Sequence, residues 1–239
     1  MISKILFLLA GLLMAGSAAM AEPPPRDQRA PPSHKPGQRP PFVDTDWRPS
    51  YPIPFGWRPR YFHYETKYEV VSTPEGSILT TYADGTASWI SHGVNATLDT
   101  EESSCLNWSW SADTLPTLKE PEDSLAGDDF AIRLYVFGIL ETGQTFGFNY
   151  VWSNDHPRGA IWTSPWSSNK LMALQQGPNP TGKLVLESRN LIADIFAATG
   201  EKPVHVTSIA VMSDAEGSGS VARARISPVQ FGECRLLMY

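Results

Sequence analysis

The sequence is poor in the residues that form metal sites and membrane spans. It contains two cysteines and five histidines among 239 residues, and their spacing is not that of a zinc site. The apolar run from Ile5 to Ala15 covers 11 residues, whereas a membrane-spanning helix needs roughly 18. Basic residues are also few, 19 against 25 acidic ones, for a formal net charge of −6. This balance argues against a protein that holds nucleic acid by charge.

The first 54 residues have the pattern of a targeting segment followed by a linker. Lys4 precedes the apolar run, and Ala19-Met20-Ala21 matches the small-x-small site of a signal peptidase. We therefore expect a signal peptide over residues 1–21, and a periplasmic or secreted protein without a transmembrane segment. Residues 22–54 carry 11 of the 21 prolines, which predicts an extended or disordered linker.

Residues 55–239 are expected to form one all-β domain, a β-sandwich or jelly roll with one short helix. Apolar and polar residues alternate with a period of two, which is typical of half-buried strands. The alternation is clearest in three segments: Leu106 to Trp110, Phe130 to Val136 and Phe146 to Trp152. The one helix is expected between Asn190, as its N-terminal cap, and Gly200, at its end.

Cys105 and Cys234 are the two cysteines of the chain. In an oxidising compartment an even pair predicts one disulfide, here between a strand near the middle of the chain and the C-terminus. The alternative is two free thiols.

Several motifs occur in the order that a known family shows. They are Trp57, Tyr68-Glu69-Val70-Val71, Leu106-x-Trp108-x-Trp110, Gly127 to Phe137, Asn149 to Trp152, Glu187 to Asp194 and Ile209 to Asp214. Together they resemble the secreted bacterial domain-of-unknown-function family 3047, over roughly Phe55 to Phe231. The resemblance implies a fold similar to galactose-binding-like jelly rolls, which include many carbohydrate-binding modules. One departure is the segment Asp214-Ala215-Glu216-Gly217-Ser218, where family members tend to have Asp-x-Asp-Asn-x.

Polar side chains on several strands are candidate ligand-binding residues. Arg133, Tyr135 and Asn149 point off the apolar faces of their strands, and Asn107 does so on a third strand. If these strands are neighbours, the four side chains line one polar sheet face. Asp128 precedes the strand of Arg133, and a carboxylate and a guanidinium together can hold sugar hydroxyls. The alternatives are a structural ion pair and an ordinary solvated face.

Two tryptophans lie in a loop-like segment that contains a proline. Trp162 and Trp166 flank Pro165, and aromatic rings in such loops can stack on the apolar face of a pyranose. The alternative is that these rings anchor the loop in the core.

Asp214 and Glu216, with Ser218, alternate oxygen ligands at a spacing that calcium loops use. They form a candidate calcium site, although the flanking glycines fit a plain turn equally well. No other cofactor is predicted.

These features favour a non-catalytic carbohydrate-binding module whose partner is a cell-envelope or other polysaccharide. No residue is assigned a catalytic role, and no hydrolase or phosphate-binding motif is present. One alternative is a polysaccharide lyase or glycosidase on the same fold, with Tyr135, Arg133 and Asn149 as candidates for the lyase site. The other is an envelope structural domain that binds a protein partner.

Overall fold

The computed structural model describes residues 53–54, 56–74, 76–101 and 103–235. The predicted signal peptide and all but the last two residues of the predicted linker lie outside this part of the chain. Ile53 packs against the core, and the Trp57 amide donates a hydrogen bond of 3.0 Å to the carbonyl of Pro54. The end of the proline-rich segment is therefore part of the folded body.

The described residues form thirteen strands and one helix. They are β1 Arg58–His63, β2 Lys67–Thr73, β3 Gly76–Asp84, β4 Ala87–Thr97, β5 Cys105–Thr114, β6 Arg133–Leu140, β7 Thr145–Ser153, β8 Ile161–Thr163, β9 Lys170–Gln176, β10 Val185–Asn190, α1 Leu191–Thr199, β11 Pro203–Asp214, β12 Val221–Ile226 and β13 Gln230–Gly232.

The strands form two sheets. The seven-stranded sheet has the order β1-β4-β11-β6-β7-β9-β8, and the second sheet has the order β10-β5-β12-β3-β2, with β13 also paired to β5. All neighbours are antiparallel except β7 and β9, which are parallel. The chain crosses repeatedly between the sheets, which confirms the predicted β-sandwich.

Aromatic side chains from both sheets fill the space between them. Trp108 and Trp110 of β5 are almost completely buried. Their ring centroids lie 5.3 Å from that of Tyr150 and 6.0 Å from that of Trp152, both on β7. Each such ring contributes about 2–3 kcal/mol of burial free energy, so these contacts hold the two sheets face to face.

The helix has the ends that its sequence indicates. The Asn190 side chain accepts a hydrogen bond of 2.9 Å from the amide of Ala193, and Gly200 adopts a left-handed φ of 79° just beyond the last turn. No helix among the described residues has the length and hydropathy to cross a membrane.

The predicted disulfide is confirmed. Cys105 and Cys234 are bonded across 129 positions of sequence, with their Cα atoms 5.1 Å apart. The bond lies next to the pairing of β13 with the first residues of β5. It therefore ties the C-terminal segment to the second sheet.

Candidate functional site

The outer face of the seven-stranded sheet is the surface turned away from the second sheet. On β6, Leu134 and Val136 belong to the core between the sheets, so the alternating residues Arg133, Tyr135 and Phe137 lie on the outer face. Most of the binding residues predicted from the sequence belong to this face. It contains a closed region and an open region.

The open region is a cluster of four aromatic rings, here called the aromatic platform. Its members are Phe62 of β1, Trp89 of β4, and Tyr135 and Phe137 of β6. The Trp89 centroid lies 5.0 Å from that of Phe62, 5.1 Å from that of Tyr135 and 5.6 Å from that of Phe137. Tyr135 is buried, but the other three rings are only partly buried. The platform is therefore an apolar surface that solvent can reach.

Arg60 lies at one side of the platform. Its guanidinium carbon is 5.2 Å from the ring centroids of both Phe62 and Trp89, a cation–π arrangement. Within the described residues no carboxylate oxygen comes within 4.0 Å of its guanidinium nitrogens. Burial against the rings lowers the pKa of Arg60 from its ordinary value. The side chain stays charged at neutral pH, and no carboxylate of the described residues balances its charge.

Asn169 provides a polar group at another side of the platform. Gly147 of β7 is the cross-strand partner of Phe137, and a Cβ atom added to Gly147 would overlap the side-chain amide of Asn169. The amide of Asn169 therefore lies over Gly147, beside Phe137. It makes no hydrogen bond within the described part of the chain. Both of its polar atoms are available to a ligand.

The closed region is a buried carboxylate centre around Arg133. Its carboxylates are Asp128, Asp129, Asp214 and Glu216. Arg133 is 3% exposed, and its guanidinium donates hydrogen bonds of 3.0 Å to Asp128 and to Asp214. Its Nη2 also contacts the Asp128 carbonyl and the second oxygen of Asp214. Asp128 and Arg133 thus form the structural ion pair that was the alternative to a sugar-binding pair.

Three carboxylates of this centre could hold a cation. Oxygens of Asp129, Asp214 and Glu216 lie within 4.8 Å of one another, and Glu216 Oε2 is buried without a hydrogen bond in the described structure. Burial, together with the charges of Asp214 and Asp129, raises the pKa of Glu216 to about 9. The candidate calcium residues Asp214 and Glu216 are therefore adjacent. Calcium binding there stays a prediction, since Glu216 can also be neutralised by a proton.

Asn107 and Asn149 differ from the arrangement expected of one polar face. Asn107 lies on β5 in the second sheet, where its side-chain nitrogen donates a 3.1 Å hydrogen bond to the carbonyl of Glu233. It cannot share a surface with Arg133 and Tyr135, because the whole sandwich separates them. Asn149 is the cross-strand neighbour of Tyr135 on the outer face, but it is 1% exposed. The sequence defined the faces of single strands and did not define which strands are neighbours.

Trp162 and Trp166 have different environments. Trp162 belongs to the edge strand β8 rather than to a loop, and its ring is stacked on His156 with centroids 4.1 Å apart. The Nδ1 atom of His156 is 2.9 Å from the buried carboxylate of Glu122. Trp166, in the connection from β8 to β9, is 56% exposed. One tryptophan is thus anchored and the other is available to a ligand.

Most residues of the open region could not be identified from local sequence patterns. Phe62, Trp89, Phe137, Arg60 and Asn169 were not singled out, although Arg60 and Phe62 alternate along β1 as outer-face residues do. The missing information was the pairing of β1 with β4, which places Arg60 directly opposite Trp89. No local pattern specifies that pairing.

A family model described as a protein of unknown function, DUF3047, matches residues 55–230. The chain belongs to the DUF3047 family. This confirms the resemblance that the motifs indicated. No curated protein matches the sequence.

Several solved structures are similar to the DUF3047 domain at low identity. The family 11 carbohydrate-binding module of the cellulase Lic26A-Cel5E of Clostridium thermocellum is 6% identical, with a TM-score of 0.38, over 77% of this chain and 91% of the module. The xyloglucanase domain of NopAA from Sinorhizobium fredii is 9% identical, with a TM-score of 0.39, over 74% and 94%. The family 11 xylanase from Neocallimastix patriciarum is 9% identical, with a TM-score of 0.35, over 74% and 99%. No residue of the DUF3047 domain is assigned a role from them.

Proposed function

We propose that this protein is a non-catalytic carbohydrate-binding module and that it binds a polysaccharide on the aromatic platform. The observation that carries the proposal is the open cluster of Phe62, Trp89 and Phe137, flanked by the side chains of Arg60 and Asn169, which make no hydrogen bond or ion pair within the described residues. Aromatic rings pack against the apolar C–H face of a pyranose, and amide or guanidinium groups hydrogen-bond its hydroxyls. The platform, Arg60 and Asn169 supply both kinds of group on one surface.

The extent of the face favours a chain over a single sugar. From β4, which carries Trp89, to the edge strand β8 the sheet spans about 24 Å at the usual strand spacing. Trp162 lies on β8, and the exposed Trp166 follows it. In this proposal Trp166 provides a second contact for an extended ligand, and Trp162 supports the surface beside it.

The other predicted binding residues take supporting roles in this proposal. Arg133, Asp128 and Asn149 are buried on the outer face and support Tyr135, whereas Asn107 lies outside the site. The carboxylates of the centre serve the protein itself. Asp214 binds Arg133, and Asp129 accepts hydrogen bonds of 3.2 and 2.6 Å from the amides of Gly217 and Ser218. An acid–base pair for glycoside hydrolysis is therefore not assigned, and the proposal is binding without turnover.

Affinity electrophoresis of the purified protein against a panel of neutral and acidic polysaccharides tests this proposal. Trp89→Ala should weaken binding at least tenfold, about 1.4 kcal/mol. The matched control is Tyr82→Ala, because Tyr82 is a partly buried ring beneath an arginine on the opposite sheet. This control should bind within twofold of the wild type.

Two results would overturn the proposal. One is the absence of saturable binding to every polysaccharide, which would direct the search to protein partners. The other is unchanged binding by a Trp89→Ala variant whose melting temperature is intact, which would place the site elsewhere.

A polysaccharide lyase is the second candidate function, and one observation favours it. The ring of His156 is oriented by the buried Glu122, and its side chain is 27% exposed next to Trp162. A carboxylate that orients an imidazole in this way holds the ring in one position, as a general base requires. Incubation with acidic polysaccharides should then release unsaturated products that absorb in the ultraviolet, and His156→Ala should abolish their release. Absence of such products across the panel would contradict this candidate.

A further inference from the structure

We infer that the ligand of the aromatic platform is an acidic polysaccharide whose anionic groups pair with Arg60. This inference rests on the proposed function and specifies its ligand class. It follows from the charged groups on this face and from a comparison of Arg60 with the other arginines, several of which pair with carboxylates.

The three described arginines that are buried or partly buried all have a carboxylate partner, whereas of the exposed ones only Arg158 has one. Arg133 pairs with Asp128 and Asp214, Arg189 with Asp194, and Arg225 with Asp113. The exposed Arg158 lies 3.7 Å from Glu187. The chain contains more acidic than basic residues, 25 against 19, so carboxylates are plentiful. Arg60 has none among the described residues, although it packs on two aromatic rings of the proposed site.

Arg58 extends the positive surface along the same strand. It precedes Arg60 by two residues on β1, so the two side chains share the outer face about 6.8 Å apart along the strand. Arg58 is exposed and also lacks a carboxylate partner in the described structure. Its cross-strand neighbour is Ser91, which is uncharged. Two unbalanced cations therefore lie at the β1 edge of the platform, where successive anionic groups of a polymer can reach them.

The other explanation for Arg60 is that it only covers the rings. Arg223 shows such an arrangement on the opposite sheet, where its guanidinium lies 4.9 Å from the ring centroid of Tyr82. Arg223 also has no carboxylate within 4.0 Å in the described residues, but it lies away from the platform. It is therefore the matched control, since the two arginines have the same local contact and differ in their place on the molecule.

Two pairs of polymers separate charge from sugar identity. Polygalacturonate is compared with its methyl ester, which masks the carboxylates, and dextran sulfate is compared with dextran. Binding is measured by affinity electrophoresis and calorimetry with the wild type, Arg60→Gln, Arg58→Gln, Arg223→Gln and Trp89→Ala variants. Melting temperatures verify that each variant is folded.

We expect the wild type to bind the charged member of one pair at least tenfold more tightly than the neutral member. Arg60→Gln should lower that affinity about tenfold but the affinity for the neutral member no more than about twofold, because the glutamine amide can still hydrogen-bond sugar hydroxyls. Arg58→Gln should have a smaller effect, and Arg223→Gln none. The pair that shows the difference identifies the anionic group as a carboxylate or a sulfate. Raising the salt concentration should weaken the wild type more than Arg60→Gln, because the variant has lost one ionic contact.

The remaining outcomes contradict the inference in distinguishable ways. If the wild type binds the charged and neutral polymers equally, and Trp89→Ala loses this binding, the ligand is not specifically acidic. That result contradicts the inference and leaves the proposed function intact. Charged-polymer binding that Arg60→Gln and Arg223→Gln reduce equally is non-specific and also overturns it. Absence of any binding that depends on Trp89 overturns the inference and the proposed function together.

Discussion

Arg60 and Arg133 lie on the same sheet face and both pack against aromatic rings, but they differ in burial and in their carboxylate partners. Arg133 is buried over Phe130, at 4.5 Å from its ring centroid, and is held by Asp128 and Asp214. Arg60 lies over Phe62 and Trp89, is exposed, and has no carboxylate among the described residues. A buried charge needs partners because desolvation is costly, whereas a partly exposed charge can remain available. The closed region therefore stabilises the fold, and the open region is suited to a ligand.

The largest expected effect separates the two arginines by stability. Arg133→Gln leaves the carboxylates of Asp128 and Asp214 buried without their cation, so the free energy of unfolding should fall by about 3–5 kcal/mol. Arg60→Gln removes an exposed charge and should change it by less than about 0.5 kcal/mol. Urea denaturation of both variants measures the difference. Similar values for the two substitutions would contradict the contrast between the regions.

A pH titration tests the closed region further. The pKa of Glu216 is about 9 in the folded protein, above its ordinary value of 4.5, so folding favours the protonated form. The contribution of Glu216 to the free energy of unfolding is fully present below about pH 4.5 and is lost as the pH rises towards 9. We expect the free energy of unfolding to fall by several kcal/mol across this range, since each pKa unit corresponds to about 1.4 kcal/mol, and Glu216→Gln to lessen that fall. Chemical denaturation at several pH values measures it, and an equally steep fall in the variant would exclude Glu216 as its source.

The predicted calcium site is tested under the same conditions. At pH 9, where about half of Glu216 is ionised, Ca²⁺ should raise the melting temperature by a few degrees if Asp129, Asp214 and Glu216 bind it. A chelator should reverse the increase, and Glu216→Gln should not show it. An identical melting temperature with calcium and with the chelator would leave the proton as the neutralising partner of Glu216.

A carboxylate placed beside Arg60 in the open region should neutralise that arginine, as Asp128 and Asp214 neutralise Arg133 in the closed region. Ser91 of β4 is the cross-strand partner of Arg58 and lies diagonal to Arg60, so Ser91→Asp supplies the missing anion. Acidic-polysaccharide binding should fall about tenfold, with little change in melting temperature. Ser91→Asn, similar in size but uncharged, is the control and should bind within about twofold of the wild type. Equal losses in the two variants would indicate a steric effect and contradict the electrostatic explanation.

The smallest expected effect concerns the amide beside the platform. Gly147→Ala adds a Cβ atom where the Asn169 side chain lies, and this flexible amide can move aside with little loss of stability. We expect polysaccharide binding to weaken about threefold, less than 1 kcal/mol. Asn169→Ala should give a similar loss, and the double variant no more than either single one, which calorimetry can measure. Additive losses would mean that Gly147 acts independently of Asn169.

The local part of this structure could be predicted from the sequence. The period-two pattern indicated most of the strands and their inner faces, because alternation depends only on neighbouring residues. It did not indicate β1, β8 or β13. Asn190 and Gly200 marked the ends of the helix, since capping involves residues within a turn of one another. The disulfide between Cys105 and Cys234 followed from an even cysteine count in a chain with a predicted signal peptide.

The site itself depends on the tertiary structure. Arg133 and Asp214 are 81 residues apart and meet because β11 pairs with β6, and Arg60 lies opposite Trp89 because β1 pairs with β4. Asn107 was expected beside Arg133 and belongs instead to the other sheet. Alternation assigns each side chain to one side of its own strand, but the order of strands depends on pairings between distant segments. The sequence by itself therefore determined which residues of the predicted strands face away from the core, and only the fold decided which arginine meets carboxylates and which meets none among the described residues.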